Sequence, residues 1–137
     1  MDNFKDGPRR AKEVQVCRKN DGRVYTAKDE VFTINFWTDR LLFCLSEIPA
    51  GGKSPRDPGH KDADEAYYIL KGTLVMEFPA IDRCEKLFAG DSILVPQGQP
   101  HIMINPGEET TISVVATAPN LGYDISELTG SVSESEA

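Results

Sequence analysis

Short runs rich in β-branched and aromatic residues, broken by Gly, Pro, Asp and Asn, make up most of this chain. Nowhere does an apolar pattern with a period near 3.6 persist over about 12 residues, so the chain reads as all-β. The pattern predicts strands at Val14 to Cys17, Arg23 to Ala27, Val31 to Thr38, Leu41 to Ile48, Ala66 to Leu70, Thr73 to Phe78, Ser92 to Val95, His101 to Asn105 and Thr111 to Ala116. Lys71-Gly72 stands between two of them and reads as a tight hairpin, since glycine tolerates positive φ. The repeated short spacing predicts a sandwich, or a barrel closed from two sheets.

Two Pro/Gly clusters interrupt the strands, "IPAGGKSPRDPGH" at 48–60 and "VPQGQPH" at 95–101. Each ends in a histidine, and the chain has no others. With 137 residues it is long enough for one domain with a real core and too short for two ordinary ones. The expected division is an N-terminal arm over 1–13, a barrel over 14–119 and a C-terminal extension over 120–137. In that extension alternation is lost; a short strand or helical turn is expected around Tyr123 to Leu128, and a disordered acidic tail from Ser131.

Composition narrows the partners. The net charge is −7, and residues 87–137 carry seven acids and no Lys or Arg, which argues against a nucleic-acid surface there. Arg9 and Arg10 with Lys5 and Lys12 are too few to make one at the N-terminus and read as a solvated arm. No apolar run approaches the roughly 20 residues that span a bilayer, and the first residues lack the apolar core of a secretory signal. No membrane association and a cytoplasmic location are therefore expected. Cys17, Cys44 and Cys84 fit neither a disulfide framework nor a zinc-finger spacing and read as reduced thiols, at least one of them in the core.

The chemistry-bearing residues cluster around the two loops. Strand alternation puts Glu65, Tyr67 and Ile69 on one face, and His101, Met103 and Asn105 on one face of another strand. If both faces look into the interior, His60, Glu65 and His101 converge. Two imidazoles and a carboxylate can cap one side of a divalent ion, as at non-haem Fe(II) sites, and Mn, Ni or Zn suit the same donors. Singly, each is an ordinary loop histidine or surface acid; together they point to a shared site. Tyr67 is a candidate catalytic residue, as acid, base or hydrogen bond to substrate. Lys53 and Arg56 precede His60 and could pair with a substrate carboxylate, although solvent-exposed loop charges are the simpler reading. Asp62 and Asp64 are assigned to the turn written by "KDAD".

The loops and their following strands resemble the cupin family. Its first motif, G-x5-H-x-H-x(3,4)-E-x6-G, reads here from Gly52 through Pro58, Gly59, His60 and Glu65 to Gly72. Its second, G-x5-P-x-G-x2-H-x3-N, reads from Gly90 through Pro96, Gly98 and His101 to Asn105. The resemblance covers roughly residues 36–119. It implies a two-sheet β-barrel of the jelly-roll type, often a homodimer, holding a divalent metal on three His and one Glu. Carried over, His60, Glu65 and His101 fall on ligand positions, while Pro58 stands where the first histidine belongs and cannot coordinate. Asp57, Asp62, Asp64, Tyr67 or Gln99 are the candidates to replace it.

Two functions follow. One is a small metal-dependent enzyme acting on a small polar organic substrate by isomerase, lyase or dioxygenase chemistry. The other is a non-catalytic cupin that binds, carries or senses a small ligand, with Pro58 marking a lost activity.

Overall fold

The structure, a computed structural model, describes residues 9–119. The strands are β1 (Arg23–Ala27), β2 (Glu30–Trp37), β3 (Leu42–Ile48), β4 (Ala63–Lys71), β5 (Thr73–Phe78), β6 (Arg83–Phe88), β7 (Ser92–Val95), β8 (Ile102–Ile104) and β9 (Thr111–Pro119), with one 3-10 turn at Pro79–Ile81. They form a six-stranded antiparallel sheet, β1-β2-β3-β9-β4-β7, facing a three-stranded sheet, β6-β5-β8. The fold class expected from the sequence is the one observed.

Alternation decides what faces inward. In β4 Ala63, Glu65, Tyr67 and Ile69 are buried while Asp64, Ala66, Tyr68 and Leu70 face out. Ile34, Ile69, Leu74 and Met76 anchor the core between the sheets, each contributing about 1.5–3 kcal/mol by leaving water. The inward face of β9 differs, with Thr111, Ser113 and Thr117 buried beside Val115. Buried hydroxyls need partners: Thr117 finds one in Glu65 and Thr111 in the Thr73 carbonyl.

Four expectations need correction. Val14 to Cys17 forms no strand: Val14 is 91% exposed, and β-propensity without a sheet to pack on does not order a segment. Lys71-Gly72 is not a hairpin, because β4 pairs with β7 and β9 while β5 pairs with β6 and β8. Gly72, at φ +84°, instead carries the chain from one sheet to the other, against Thr111. The strand β6 was not anticipated, since only Leu87 of its six residues is buried and the rest show no apolar alternation. The strand expected over His101 to Asn105 contracts to β8, with His101 held by a separate bridge to Asp57. The features expected around Tyr123 to Leu128 and in the acidic tail lie outside the described residues.

Candidate metal centre

Glu65 is the hub of the interior. It projects inward from β4, and its two oxygens are bonded on every side. Tyr67 Oη donates to Oε1 at 2.8 Å and Thr117 Oγ1 to Oε2 at 3.2 Å. His101 Nε2 lies 3.2 Å from Oε1, and His60 Nε2 3.0 Å from Oε2. Thr117 is the cross-strand neighbour of Glu65, so β4–β9 pairing sets that contact.

The two Pro/Gly loops are tied to each other. Asp57 and His101 exchange both backbone hydrogen bonds, at 2.8 and 2.9 Å, and Gly98 N–H donates to His60 O at 2.7 Å. Gly59 allows this approach: at φ +92°, an added Cβ would come within 2.6 Å of Gln99 N. The pairing brings Asp57 Oδ2 to 3.5 Å from His101 Nε2. One ligand atom each from Asp57, Glu65 and His101 lies within 4.8 Å of the others.

Charge in this cluster is arranged around Glu65. Burial pushes its carboxyl up, but the hydrogen bonds from His101 and His60 and their charges outweigh burial and bring it down to about 2. Burial disfavours the charged His101 ring, yet the Glu65 hydrogen bond and the Asp57 and Glu65 charges prevail and raise it to about 9. His60 is raised in the same way, burial being overcome by its bond to Glu65. Tyr67 is held well above its ordinary 10, first by burial and then by the neighbouring carboxylates, so it stands as a neutral donor.

The donor chemistry suits a divalent ion. His101 Nδ1–H donates to Gln99 O at 2.9 Å, which leaves Nε2 as the ligating nitrogen of the neutral ring, aimed at Glu65 and Asp57. Carboxylate with imidazole is a set used by Fe, Mn, Ni and Zn alike.

Next to the cluster lies a cavity of about 490 Å³. Its lining includes His60, Glu65, Tyr67 and Asp57 from the cluster, and an apolar wall from Phe32, Ile34, Leu42, Met103 and Val115.

The structure thus gathers His60, Glu65, His101 and Tyr67 in one place. Pro58 lines the cavity without offering a donor. Among the candidates to replace the absent imidazole, Asp57 is the carboxylate beside His101. Asp62 is exposed, and Asp64 accepts a hydrogen bond from Gln97 N–H rather than closing its own turn. Asp57 makes the local turn instead, accepting from Gly59 N–H at 2.8 Å. Lys53 is absent from the cavity lining, whereas Arg56 is part of it.

Sequence reasoning missed Glu30. It is 1% exposed, lines the cavity, and accepts a hydrogen bond from Ser46 Oγ on β3. Burial, opposed by the Ser46 bond and reinforced by the Glu65 and Asp57 charges, raises its carboxyl to about 8. Its alternation with Phe32 and Ile34 was the available signal, masked by the adjacent turn residues Lys28 and Asp29.

Comparison with known proteins agrees with this architecture. The cupin-domain family model (Cupin_2) matches residues 44–117. A germin-like protein, 8-14, of Oryza sativa subsp. japonica is 30% identical over 86 residues, covering 59% of this chain and 40% of that protein. The chain therefore spans well under half the length of that curated relative. Among solved structures, the polyketide cyclase RemF from Streptomyces resistomycificus superposes with a TM-score of 0.65 at 18% identity, over 84% of this chain and 94% of that one. A protein from Thermotoga maritima described as a predicted oxalate decarboxylase gives 0.61 at 19% identity, over 77% and 99%. At these identities the structural likeness speaks for the fold alone. With the second loop motif complete, the first lacking only its initial histidine, a two-sheet barrel around Glu65 and a family match over more than half its length, this chain belongs to the cupin family.

Proposed function

We propose that this protein is a small metal-dependent cupin enzyme acting on a small polar organic substrate in the cavity beside Glu65, by isomerase, lyase or dioxygenase chemistry. The observation that carries the reading is the convergence of carboxylate and imidazole donors from Asp57, Glu65 and His101, with His60 on the second oxygen of Glu65. His60, Glu65 and His101 would hold the ion, and Asp57 would stand in for the imidazole that Pro58 cannot supply. Held by these residues, a divalent ion would supply Lewis-acid polarisation of a substrate carbonyl or carboxylate oxygen.

The chain's own groups do the rest. Gln99 O fixes the His101 tautomer, Thr117 and Tyr67 orient the Glu65 carboxylate, and the apolar wall limits water around a bound substrate. Tyr67, kept neutral, acts as a donor rather than as a base.

The alternative is a non-catalytic cupin that binds, carries or senses a small ligand. Metal content of protein purified without chelator, compared across wild type, His60→Ala, Asp57→Asn and His101→Ala, separates the two. Stoichiometric metal in wild type that falls in His101→Ala and in both other variants supports the enzyme. Equal trace metal in all four sinks it in favour of the binding protein. Metal kept by Asp57→Asn but lost by His60→Ala would remove Asp57 from the ligand set.

A further inference from the structure

Three basic side chains, Lys28, Arg56 and Lys61, line the cavity, and none makes an ion pair or side-chain hydrogen bond with another described residue. Some basic groups elsewhere have partners, Arg10 with Asp39, Lys71 with Glu109, Arg83 with Glu85, and Lys86 over the Phe88 ring; others, such as Lys12 and Lys19, are likewise exposed but do not line the cavity. In a chain of net charge −7, three exposed cations thus line one cavity, across from the carboxylates of Asp57 and Glu65 in its interior.

They come from two loops, β1–β2 and β3–β4. Lys28 sits in the β1–β2 turn, Arg56 in the loop before β4, and Lys61 at the entry to β4. The turn is pinned to the loop, since Asp29 N–H donates to Lys53 O at 3.3 Å and Lys53 N–H to Asp29 Oδ2 at 3.0 Å. Lys28 is itself held at φ +57°, a left-handed conformation that a side-chain-bearing residue rarely adopts. Tertiary contacts therefore maintain the convergence.

We infer that the cavity takes a small organic anion, whose carboxylate or phosphate group is held by Lys28, Arg56 and Lys61 while its carbon skeleton lies along the apolar wall. An inorganic ion alone would make no use of Phe32, Ile34 and Met103, and a neutral ligand would make no use of the three cations. The volume of about 490 Å³ suits a molecule of metabolite size. Arg56 supplies the planar fork that binds a carboxylate or phosphate through two hydrogen bonds, and the lysines supply charge. This names the substrate class of the site proposed above and rests on that reading.

The test is calorimetric titration of the full chain with succinate, benzoate and phenyl phosphate, each against its uncharged counterpart, succinamide, benzamide or phenol. At least one anion is expected to bind about tenfold or more tightly than its counterpart. The triple variant Lys28→Asn, Arg56→Gln, Lys61→Gln should shrink that preference to about threefold or less. Asn suits the left-handed position at residue 28. A second triple variant, Lys12→Gln, Lys19→Gln, Lys86→Gln, removes equal charge from exposed positions outside the cavity and should keep the preference. No anion preferred over its counterpart, or equal loss in both triple variants, overturns the inference. Preference for phenyl phosphate alone, or for the acids alone, identifies the anionic group. Metal content is measured on the same samples: stoichiometric metal without anion preference sinks this inference alone, and anion preference without metal sinks only the metal reading.

Discussion

Glu30 shows how one side chain ties stability to pH. Its carboxyl ionises near 4.5 when unperturbed and near 8 in the fold, so between these values the folded protein keeps a proton that the unfolded chain has released. The stability carried by that proton is complete below 4.5 and is lost as pH rises toward 8, with a slope of up to about 1.4 kcal/mol per pH unit. Glu30→Gln cannot ionise and should remove this slope. Urea denaturation from pH 5 to pH 8 is expected to show wild type losing ground steadily to the variant, while parallel curves would mean that Glu30 is charged in the fold. Tyr67 gives a second test at this scale. Tyr67→Phe removes a buried donor from Glu65, and a loss of about 1–3 kcal/mol is expected in the same assay; no loss would show that the phenol is dispensable to the network.

The elements depend on how two loops meet. Gly59 has Gln99 and Gly98 against the face where a side chain would grow, and its backbone is left-handed. Gly59→Ala should therefore force apart the loops carrying Asp57 and His101, costing about 2 kcal/mol or more of stability and lowering bound metal. Thermal unfolding and metal content on one preparation check both, and a variant that keeps wild-type values for each would show the loops to be pliable. The loops were legible as sites because each ended in one of the chain's two histidines. Their mutual bonding was not, since Asp57 and His101 are 44 positions apart by number and no local rule pairs them. Strands with clean alternation, such as β1, β5 and β7, stood out for the opposite reason, that one face of each meets a core. The strand β6 was hidden because its face toward the core is almost a single leucine, and Val14 to Cys17 misled because β-branched residues say nothing of whether a partner strand is at hand.

For the whole molecule, a bound ion would couple function to stability. A ligand that binds only the folded state raises its stability by about 2.7 kcal/mol at a hundredfold excess over Kd, several degrees in Tm for a domain of this size. Thermal scans of chelator-treated protein with and without added Mn, Fe, Ni or Zn should show this rise in wild type and lose it in His101→Ala. Unchanged melting for every metal would place the stability of the site in its own hydrogen bonds.

By itself the sequence determined the all-β class and singled out His60, Glu65, His101 and Tyr67 as the residues to watch, because period-two patterning and loop chemistry are local properties. It also marked Pro58 as a position without a donor. Only the tertiary structure decided that β4 and β5 lie in different sheets, that Asp57 comes to His101, that Glu30 is buried at the cavity, and that Lys28, Arg56 and Lys61 share its lining. Each of these depends on contacts between segments far apart in the chain, where strand pairing, burial and close approach at glycine choose the neighbours and no local pattern does.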